Sequence, residues 1–481
     1  MKNTIRIVPD NSHSFKVNDR SMIFHVPTSS LFELDEISED LLEAASSENG
    51  VCVDEFTEHL SKEAKNGVLE TVEDMSQLKV ISSVDLGTES FLPDNPAVNK
   101  LENIPLTTLV LNVNTGCNLS CSYCYKEDLD TPAKGQKMTF ETAKKSIEMM
   151  LEESPDQQRY NIVFFGGEPL SNMQLIRDVV AYSEACFADL GVPVDFSLTT
   201  NATLLNEEIV EFFQKHRVGI AVSIDGPKAI HDKNRITVNG NGTYKAVTRK
   251  IEMLMRGYNA RPIGARVTLT KGVTDIEEIW DHLFNELGFS EVGFAPVTSG
   301  DITDYNLSED ELKDVFASMK SVGRHYIEEA KAGRNIGFSN MHQLMTDIHE
   351  GTKKALPCGA GVGMVAIDHS GGVNLCHRFT GSDLPMFGSV TTGLDKEGLS
   401  GFIETRMDRT NTGCSTCWIR NLCSGGCYHE SYARFNDPQK PTYHYCEFMR
   451  DWIDFGLKAY SEITSVNPTF MDTFITPRRG H

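Results

Sequence analysis

The sequence predicts an α/β protein in three parts: a partial (β/α)6 barrel, a small winged-helix-like α+β domain before it and a cysteine-rich domain after it. Strand-like and helical patterns alternate from residue 106 to about 330, which is typical of a parallel sheet with crossover helices. Short strand-like runs followed by helical stretches occupy residues 1–85. Seven of the twelve cysteines fall within residues 358–446, where apolar periodicity is sparse.

The N-terminal domain is predicted at residues 1–85, as three strands followed by three helices. Its strand-like runs are 5–8, 14–17 and 22–26, and a further short run at 31–35 leads into the first helix. Its helical stretches are 36–45, 53–65 and 70–78. Residues 86–105 combine Gly87 with three prolines among polar residues, so we expect a linker there.

The barrel is predicted at residues 106–330. The candidate strands are 106–113, 160–165, 194–199, 218–223, 263–269 and 291–294. The candidate helices are 139–152, 172–189, 205–215, 243–257, 274–286 and 308–330. Chemistry in β/α barrels lies at the carboxyl ends of the strands, so the segments that follow these strands hold the candidate site residues.

The remainder is predicted as a cysteine-rich domain at residues 331–455 and a C-terminal tail at 456–481. The formal net charge of −23 argues against binding to nucleic acid, which needs a basic surface. No run approaches the ~20 apolar residues of a membrane helix, and the N-terminus has no apolar signal-peptide core. We therefore expect a cytoplasmic protein with neither a membrane nor a nucleic-acid partner.

Three cysteines follow the first predicted barrel strand with the spacing Cys-x3-Cys-x2-Cys: Cys117, Cys121 and Cys124. Three thiolates on one loop can ligate three irons of a cubane cluster, and the fourth iron then stays open for a substrate or cofactor. A zinc loop completed by a distant ligand is the alternative. Cys52 and Cys186 stand alone, and we predict that they are buried packing residues.

This spacing, with an aromatic residue before the last cysteine, resembles the signature of the radical S-adenosylmethionine (SAM) superfamily, whose fold is a TIM-type partial barrel. The resemblance implies one [4Fe–4S] cluster, with SAM chelating the open iron and yielding a 5′-deoxyadenosyl radical. Gly166-Gly167-Glu168-Pro169 and Ser223-Ile224-Asp225-Gly226 match segments that bind SAM in this superfamily. The SAM-binding residues it implies are Tyr123, Gly166, Gly167, Glu168, Thr200, Asn201, Ser223, Asp225, Arg235 and Thr268.

The seven later cysteines also follow a definite pattern. Cys358 and Cys376 flank Gly371 as Cys-x12-Gly-x4-Cys, a Cys-x2-Cys-x5-Cys-x3-Cys run begins at Cys414, and Cys446 comes last. The pattern resembles the SPASM domain of peptide-modifying radical SAM enzymes, which carries two auxiliary [4Fe–4S] clusters. Zinc ribbons are the alternative, because seven cysteines are one short of two all-cysteine sites of either kind.

The SPASM resemblance implies three [4Fe–4S] clusters in all. The implied ligands of auxiliary cluster I are Cys358, Cys376 and Cys427. Those of auxiliary cluster II are Cys414, Cys417, Cys423 and Cys446. Some relatives have an eighth cysteine where this sequence has Met364, so cluster I is either open at one iron or completed by another ligand. An open iron could bind a substrate thiolate.

Three segments, at 24–32, 339–347 and 376–383, resemble the maturation proteins of quinohemoprotein amine dehydrogenase. That family joins a Cys sulfur to the side-chain methylene carbon of an Asp or Glu within the small γ-subunit of the dehydrogenase. The implied activity is therefore that of a radical SAM oxidoreductase that forms intrapeptide thioethers. The alternatives are another SPASM reaction, such as formylglycine formation in sulfatases or carbon–carbon cross-linking, and a non-catalytic metal-bound peptide scaffold.

The implied partners are the substrate polypeptide with a leader peptide and an external electron donor such as flavodoxin or ferredoxin. Residues 1–85 resemble the peptide-recognition element related to the chaperone of pyrroloquinoline quinone biosynthesis, which adds a leader strand to its sheet edge. His342, His377 and Asp383 are candidates for an acid–base role, and a structural role is the alternative for each.

Overall fold

The computed structural model describes residues 4–84, 105–124, 135–298, 304–442 and 444–475. Of the predicted linker at 86–105, only residue 105 lies within these ranges. The basic end of the predicted tail, residues 476–481, lies outside them as well.

The N-terminal part forms two three-stranded antiparallel sheets, not the single set of three strands that the sequence predicts. Its strands are β1 (Thr4–Ile7), β2 (Ser12–Val17), β3 (Arg20–His25), β4 (Ser30–Leu34), β5 (Val51–Cys52) and β6 (Ile81–Ser83). Its helices are α1 (Glu36–Ala45), α2 (Val53–Phe56) and α3 (Lys62–Gln77). One sheet has the order β2-β3-β4 and the other β5-β1-β6. The additional strands β5 and β6 are too short to produce a periodic signal.

The barrel sheet has eight strands, and the six predicted ones are all present, which confirms the predicted fold class. These six are β7 (Thr108–Asn114), β8 (Tyr160–Gly166), β9 (Val194–Thr200), β10 (Gly219–Ser223), β11 (Ile263–Leu269) and β12 (Glu291–Pro296). They pair in parallel, each with the next along the chain. Their side chains alternate between the buried helix-facing side and the barrel interior, so polar residues on the inner face point toward a common space.

Helices cover the outer face of this sheet. They are α4 (Phe140–Glu153), α5 (Met173–Leu190), α6 (Glu207–Lys215), α7 (Lys228–Asn234), α8 (Tyr244–Gly257) and α9 (Ile276–Asp281), and α9 continues into a π-turn at His282–Glu286. Side-chain caps begin several of them: the Thr139 hydroxyl accepts from the Thr142 amide, and the Asn206 side chain accepts from the Ile209 amide.

Two short strands from the predicted cysteine-rich domain extend the barrel sheet. β13 (Met364–Ile367) pairs in parallel with β7, and β14 (Val373–Asn374) pairs antiparallel with β13. The sheet order is therefore β12-β11-β10-β9-β8-β7-β13-β14. The cysteine-rich region is thus hydrogen-bonded into the barrel and does not stand apart from it.

The remaining elements follow the barrel strands along the chain or lie within the C-terminal region. They are α10 (Glu309–Lys331), α11 (Ser339–His349), β15 (Gly388–Ser389), β16 (Gly393–Leu394), α12 (Lys396–Met407), α13 (Arg420–Cys423), α14 (Tyr428–Phe435), α15 (Cys446–Val466) and α16 (Thr469–Phe474). Among the helices in the described ranges, none has the length and apolar character that crossing a membrane requires.

The prediction of a tail from residue 456 onward is wrong for the described residues 456–475. Helix α15 runs through the predicted boundary, and Leu457, Ile463 and Phe470 are buried in the main core. Apolar residues recur along α15 at helical spacing and pack against α10 and α11, so tertiary burial fixes this segment.

The β2–β4 sheet shares its core with the barrel and the C-terminal helices. Phe15, Phe24 and Val26 are buried within that main core, whereas β1 and the helices α1 and α3 enclose a small core of their own. His13 of β2 stacks on Trp418, with ring centroids 3.8 Å apart and planes 6° from parallel. The same imidazole lies 2.8 Å from the Asp454 carboxylate of α15.

Two further contacts join this sheet to the loop that carries Cys417 and Cys423. The Arg420 guanidinium donates to the Asp10 carbonyl, and the Asn421 side-chain amide donates to the Val26 carbonyl at 2.6 Å. Hydrogen bonds therefore connect the N-terminal sheet to α13, the short helix that ends at Cys423 and lies some 400 residues away along the chain.

We expect His13→Ala to loosen this junction. Losing the ring stack and the bond to Asp454 should cost about 1–2 kcal/mol and speed amide hydrogen exchange within residues 12–34. The matched control is His216→Ala, which also removes a ring contact, to Phe212, and an ion pair, to Glu184, but within the barrel helices. Unchanged exchange at 12–34 would show that other contacts hold the sheet.

Candidate functional site

A cavity of about 730 Å³ lies at the carboxyl ends of the barrel strands. Most residues that the sequence predicts for the cluster and for SAM line it. These are Cys117, Cys121, Tyr123, Cys124, Gly166, Gly167, Glu168, Asn201, Ser223, Arg235 and Thr268. Two predicted residues, Thr200 and Asp225, do not line the cavity and lie directly behind its wall, where they hold lining side chains.

Hydrogen bonds to backbone groups of the loop hold Cys117, Cys121 and Cys124 against the barrel. The Asn114 side chain at the end of β7 closes a turn with both the amide and the carbonyl of Gly116. The Ser122 amide then donates to the Asn234 carbonyl at 3.0 Å. These bonds place all three sulfurs at one cavity.

The three thiols suit metal ligation. Burial raises the pKa of Cys117 to about 12 and that of Cys121 to about 11, so both stay protonated unless a cation replaces the proton. The Leu119 backbone amide donates to the Cys117 sulfur at 3.4 Å. The side-chain amide of Asn201 donates to the same sulfur at 3.7 Å. Donors of this kind orient a thiolate and stabilise its charge.

In the described ranges, no three His, Cys, Asp or Glu side chains stand close enough to bind one metal ion together. The ligands of a cubane cluster each bind a different iron and lie farther apart than the ligands of a single ion. The donor set fits a cluster held by three thiolates with one open iron.

Main-chain atoms of the Gly-Gly-Glu segment at the end of β8 contact main-chain atoms of the cysteine loop. The Glu168 amide donates to the Gly116 carbonyl at 3.0 Å, and a Cβ atom at Gly167 would overlap that same carbonyl. Glycine at position 167 therefore permits the close approach of the two loops.

Glu168 is fully buried and accepts three hydrogen bonds. They come from the Thr200 hydroxyl at 2.6 Å, the Asn201 amide at 2.8 Å and the Leu170 amide at 3.1 Å. Burial raises the pKa of this carboxyl from 4.5 to about 7, although the three donors act in the opposite direction. The carboxylate is thus positioned to receive a cationic group from the cavity.

The raised pKa of Glu168 predicts a pH dependence of stability. Its neutral form contributes stability that is fully present below pH 4.5 and is lost as the pH rises to about 7. The loss is on the order of 3 kcal/mol. We expect the thermal midpoint of the ligand-free protein to fall over this window more steeply in the parent than in Glu168→Gln. Parallel pH profiles for the two proteins would contradict the assignment.

Asp225 organises the other side of the cavity. Its two oxygens accept from Arg235 Nε at 2.9 Å and Nη2 at 3.0 Å, from the Tyr123 hydroxyl at 2.7 Å and from the Thr268 amide at 3.0 Å. Sequence reasoning predicted direct cofactor contact for Asp225. In the structure both of its oxygens hold Tyr123, Arg235 and the end of β11, and its contact with SAM stays a prediction.

Cys358, Cys376 and Cys427 lie near one another in the C-terminal region. Burial raises the pKa of the Cys376 thiol to about 12, and the neighbouring Cys427 and Cys358 add to that rise. Met364, at the position of the possible eighth cysteine, begins β13, where it pairs with Thr108 and packs against the core.

The other four cysteines line a second, small pocket of about 30 Å³. They are Cys414, Cys417, Cys423 and Cys446. Arg409 and Arg420 line the same pocket and are buried, and each donates to backbone carbonyls. The structure thus brings the seven cysteines together as a group of three and a group of four.

The cavity also has lining residues that sequence reasoning did not single out. Arg266 and Arg378 are the cationic ones, and the Phe165 ring contacts the His377 ring in a tilted arrangement with ring centroids 4.1 Å apart. His377 thus lies at the cavity, whereas His342 is buried within α11, and neither it nor Asp383 is a lining residue. Arg266 could have been found from its place between buried apolar residues on a strand.

Residues 111–284 match the family model described as the Radical SAM superfamily. Among curated proteins, the chain is similar to the serine-type anaerobic sulfatase-maturating enzyme of Klebsiella aerogenes, with 32% identity over 153 residues. That alignment spans 31% of this chain and 37% of the Klebsiella protein, about a third of each.

Two solved structures show the same fold. Native anSMEcpe with bound AdoMet superposes with a TM-score of 0.63 at 21% identity, covering 76% of this chain and all of that one. Streptococcus suis SuiB bound to the precursor peptide SuiA superposes with a TM-score of 0.50 at 17% identity, covering 91% of this chain and 98% of that one. These likenesses support the α/β partial barrel with its C-terminal extension.

Proposed function

We propose that this chain, with its radical SAM domain, is a maturase that modifies a peptide or protein substrate. One observation carries the proposal: the three-cysteine loop and the segments after β8, β9, β10 and β11 converge on one cavity. When bound there, a [4Fe–4S] cluster and SAM would supply a 5′-deoxyadenosyl radical able to take hydrogen from an unactivated carbon. The sulfatase-maturating relative and the SuiB structure support a peptide substrate.

Within that class, we propose thioether formation between a Cys sulfur and an Asp or Glu methylene carbon. The proposed substrate is the small γ-subunit of quinohemoprotein amine dehydrogenase. The segments at 24–32, 339–347 and 376–383 support this choice, as does Met364 at the place of an eighth cysteine. Cys358, Cys376 and Cys427 would hold auxiliary cluster I, and the pocket of four cysteines would hold auxiliary cluster II. A flavodoxin or ferredoxin would supply the electron that cleaves SAM, and the electron left over when the sulfur–carbon bond forms would pass to an auxiliary cluster.

The chain's own residues would hold and orient SAM. Glu168, fixed by Thr200 and Asn201, would accept the amino group of SAM. Tyr123 and Arg235, fixed by Asp225, would form the opposite wall. Both groups are held by several hydrogen bonds before any ligand arrives, so little ordering would be needed on binding.

We propose that the leader peptide of the substrate adds to the β2–β4 sheet. The edge strands of this sheet are β2, which packs against α15, and β4, which we propose as the docking edge. Phe32 on β4 is 41% exposed, and the strand can offer main-chain groups to an incoming strand. The SuiB structure contains a bound precursor peptide, which supports a peptide partner for this chain.

Formylglycine formation is the second candidate. The 32% identity to a serine-type sulfatase-maturating enzyme favours it. A metal-bound scaffold without catalytic activity is the third, and it predicts no SAM cleavage at all.

Mass spectrometry of a substrate peptide incubated with reduced enzyme and SAM tests the proposal. A thioether removes two hydrogens and protects that Cys from alkylation, whereas formylglycine formation leaves no sulfur–carbon cross-link. If every Cys of the treated peptide can still be alkylated, thioether formation is refuted.

Iron and sulfide analysis should give about twelve of each per chain, whereas zinc without iron would exclude all three clusters.

A further inference from the structure

Two arginines are buried among the C-terminal cysteines. Arg406 lies on α12 and Arg409 two residues after it, and they are only 4% and 6% exposed. Arginine keeps its proton in proteins, so both side chains are permanent cations. An isolated charge is costly to remove from water, and a buried cation therefore needs a compensating anion.

Arg409 lines the pocket of four cysteines. Its guanidinium donates to the carbonyls of Ala355 and Arg420, and Arg420 begins α13, the helix that ends at Cys423. Burial lowers the pKa of Arg409, whereas negative charge on Cys414 and Cys423 acts in the opposite direction. Thiolates in this pocket would therefore stabilise the buried cation.

Arg406 connects the two groups of cysteines. Its guanidinium donates to both carbonyls of the pair Gly425-Gly426, at 2.9 and 2.8 Å. This pair lies between Cys423, which belongs to the group of four, and Cys427, which belongs to the group of three. Burial lowers the pKa of Arg406, and the neighbouring cation Arg409 lowers it further.

Both arginines lack an anionic partner on the protein. Their hydrogen bonds end on main-chain carbonyls, and no carboxylate in the part of the chain that the structure describes forms an ion pair with either. The thiols beside them become thiolates when they bind a metal. A [4Fe–4S] cluster held by four thiolates carries a net negative charge, which grows by one on reduction.

We propose that Arg406 and Arg409 are the counter-cations of the auxiliary clusters and raise their reduction potentials. The inference rests on the proposed auxiliary clusters and goes beyond them, because it gives a redox role to two residues that are not ligands. A nearby cation stabilises the reduced cluster, which is the more negative form, more than the oxidised one. A higher potential would favour uptake of the electron left over when the sulfur–carbon bond forms.

Redox titration of the full chain, followed by electron paramagnetic resonance, measures these potentials. Cys117, Cys121 and Cys124 are all replaced by Ala in the background protein, so that only the auxiliary clusters give signals. R406Q and R409Q remove the charge and keep N–H donors. R406K and R409K keep the charge and lose the planar fork of donors.

The matched control is K440Q. Lys440 follows Gln439, whose carbonyl accepts a hydrogen bond from Arg406 at 3.0 Å, so it belongs to the same region. Its side chain is 58% exposed, and water and salt screen an exposed charge. K440Q should therefore have the potentials of the background protein.

R409Q should shift one cluster signal and R406Q both. At a fixed potential, the ratio of reduced to oxidised cluster should fall about 10-fold, which corresponds to about 59 mV for a one-electron couple. R409K and R406K should stay close to the background protein. Unchanged potentials in R409Q and R406Q overturn the proposal. Equal shifts in the Gln and Lys variants overturn it too, because packing and not charge would then set the potentials.

Iron content keeps this test separate from the proposed function. The background protein should hold about eight iron atoms per chain, and a chain without iron refutes the auxiliary clusters and the role of the arginines together. Loss of iron in R409Q but not in R409K supports a counter-cation, whereas loss in both overturns it. In the parent chain, absence of a thioether product refutes thioether chemistry alone and leaves the measured potentials to decide on the arginines.

Discussion

Replacing Cys121 by Ala should abolish formation of 5′-deoxyadenosine from SAM, by ~10³-fold or more, because enzyme accelerations of ~10⁶-fold and above rest on an intact reaction centre. Cys121 lines the cavity beside Cys117 and Cys124, and no other cysteine lines that cavity in the described ranges. Chromatography of the nucleoside product after incubation with dithionite measures the loss. The iron content should fall by about four per chain.

The control for this prediction is Cys186→Ala. Cys186 lies on α5, outside the cavity and outside both groups of C-terminal cysteines, and its substitution should leave nucleoside formation at the parent rate. If Cys121→Ala still produces 5′-deoxyadenosine at the parent rate, the loop does not hold the cluster that cleaves SAM.

Replacing Asp225 by Ala should be the most destabilising polar substitution in the barrel. It leaves the Arg235 guanidinium buried without its bidentate partner and also removes the acceptor of the Tyr123 hydroxyl. Breaking a buried ion pair from one side costs about 3–5 kcal/mol. Thermal or urea unfolding of the metal-free protein measures it, and Asp225→Asn should lose less because it retains an acceptor oxygen.

Asp451→Ala provides the matched comparison. Asp451 also pairs with a cation, Lys320, but its side chain is 55% exposed. An exposed pair contributes less than about 1 kcal/mol, so this variant should unfold close to the parent. Equal losses in the Asp225 and Asp451 variants would mean that the Asp225 network does not stabilise the barrel.

The barrel and most of its cavity could be predicted from the sequence because local signals and topology agree there. Most predicted site residues lie at the carboxyl end of a predicted strand or in the segment that follows it, so parallel pairing collects them at one edge. Glu168 and Asn201 are examples: they are 33 residues apart in the chain and share a 2.8 Å hydrogen bond. The two groups of later cysteines are those that the SPASM resemblance implies.

What the sequence did not predict depends on tertiary packing. β13 and β14 are four and two residues long, too short for a periodic pattern, and they become strands through the pairing of β13 with β7 and of β14 with β13. The helix α15 continues past residue 455 because α10 and α11 bury its apolar face. Asp225 is buried behind the residues that line the cavity. A sequence motif does not indicate whether a residue lines a cavity or lies behind its wall.

The joining of β13 and β14 to the barrel sheet has a consequence for electron movement. Cys117 lies three residues after β7, and Cys376 lies two residues after β14. Both cysteine segments therefore follow strands of the same sheet, because β7 pairs with β13 and β13 pairs with β14. Tunnelling between redox centres falls steeply with distance and is sensitive to hinge motion between domains. In the proposed holoenzyme, the shared sheet would hold the two cysteine segments at a constant spacing during turnover.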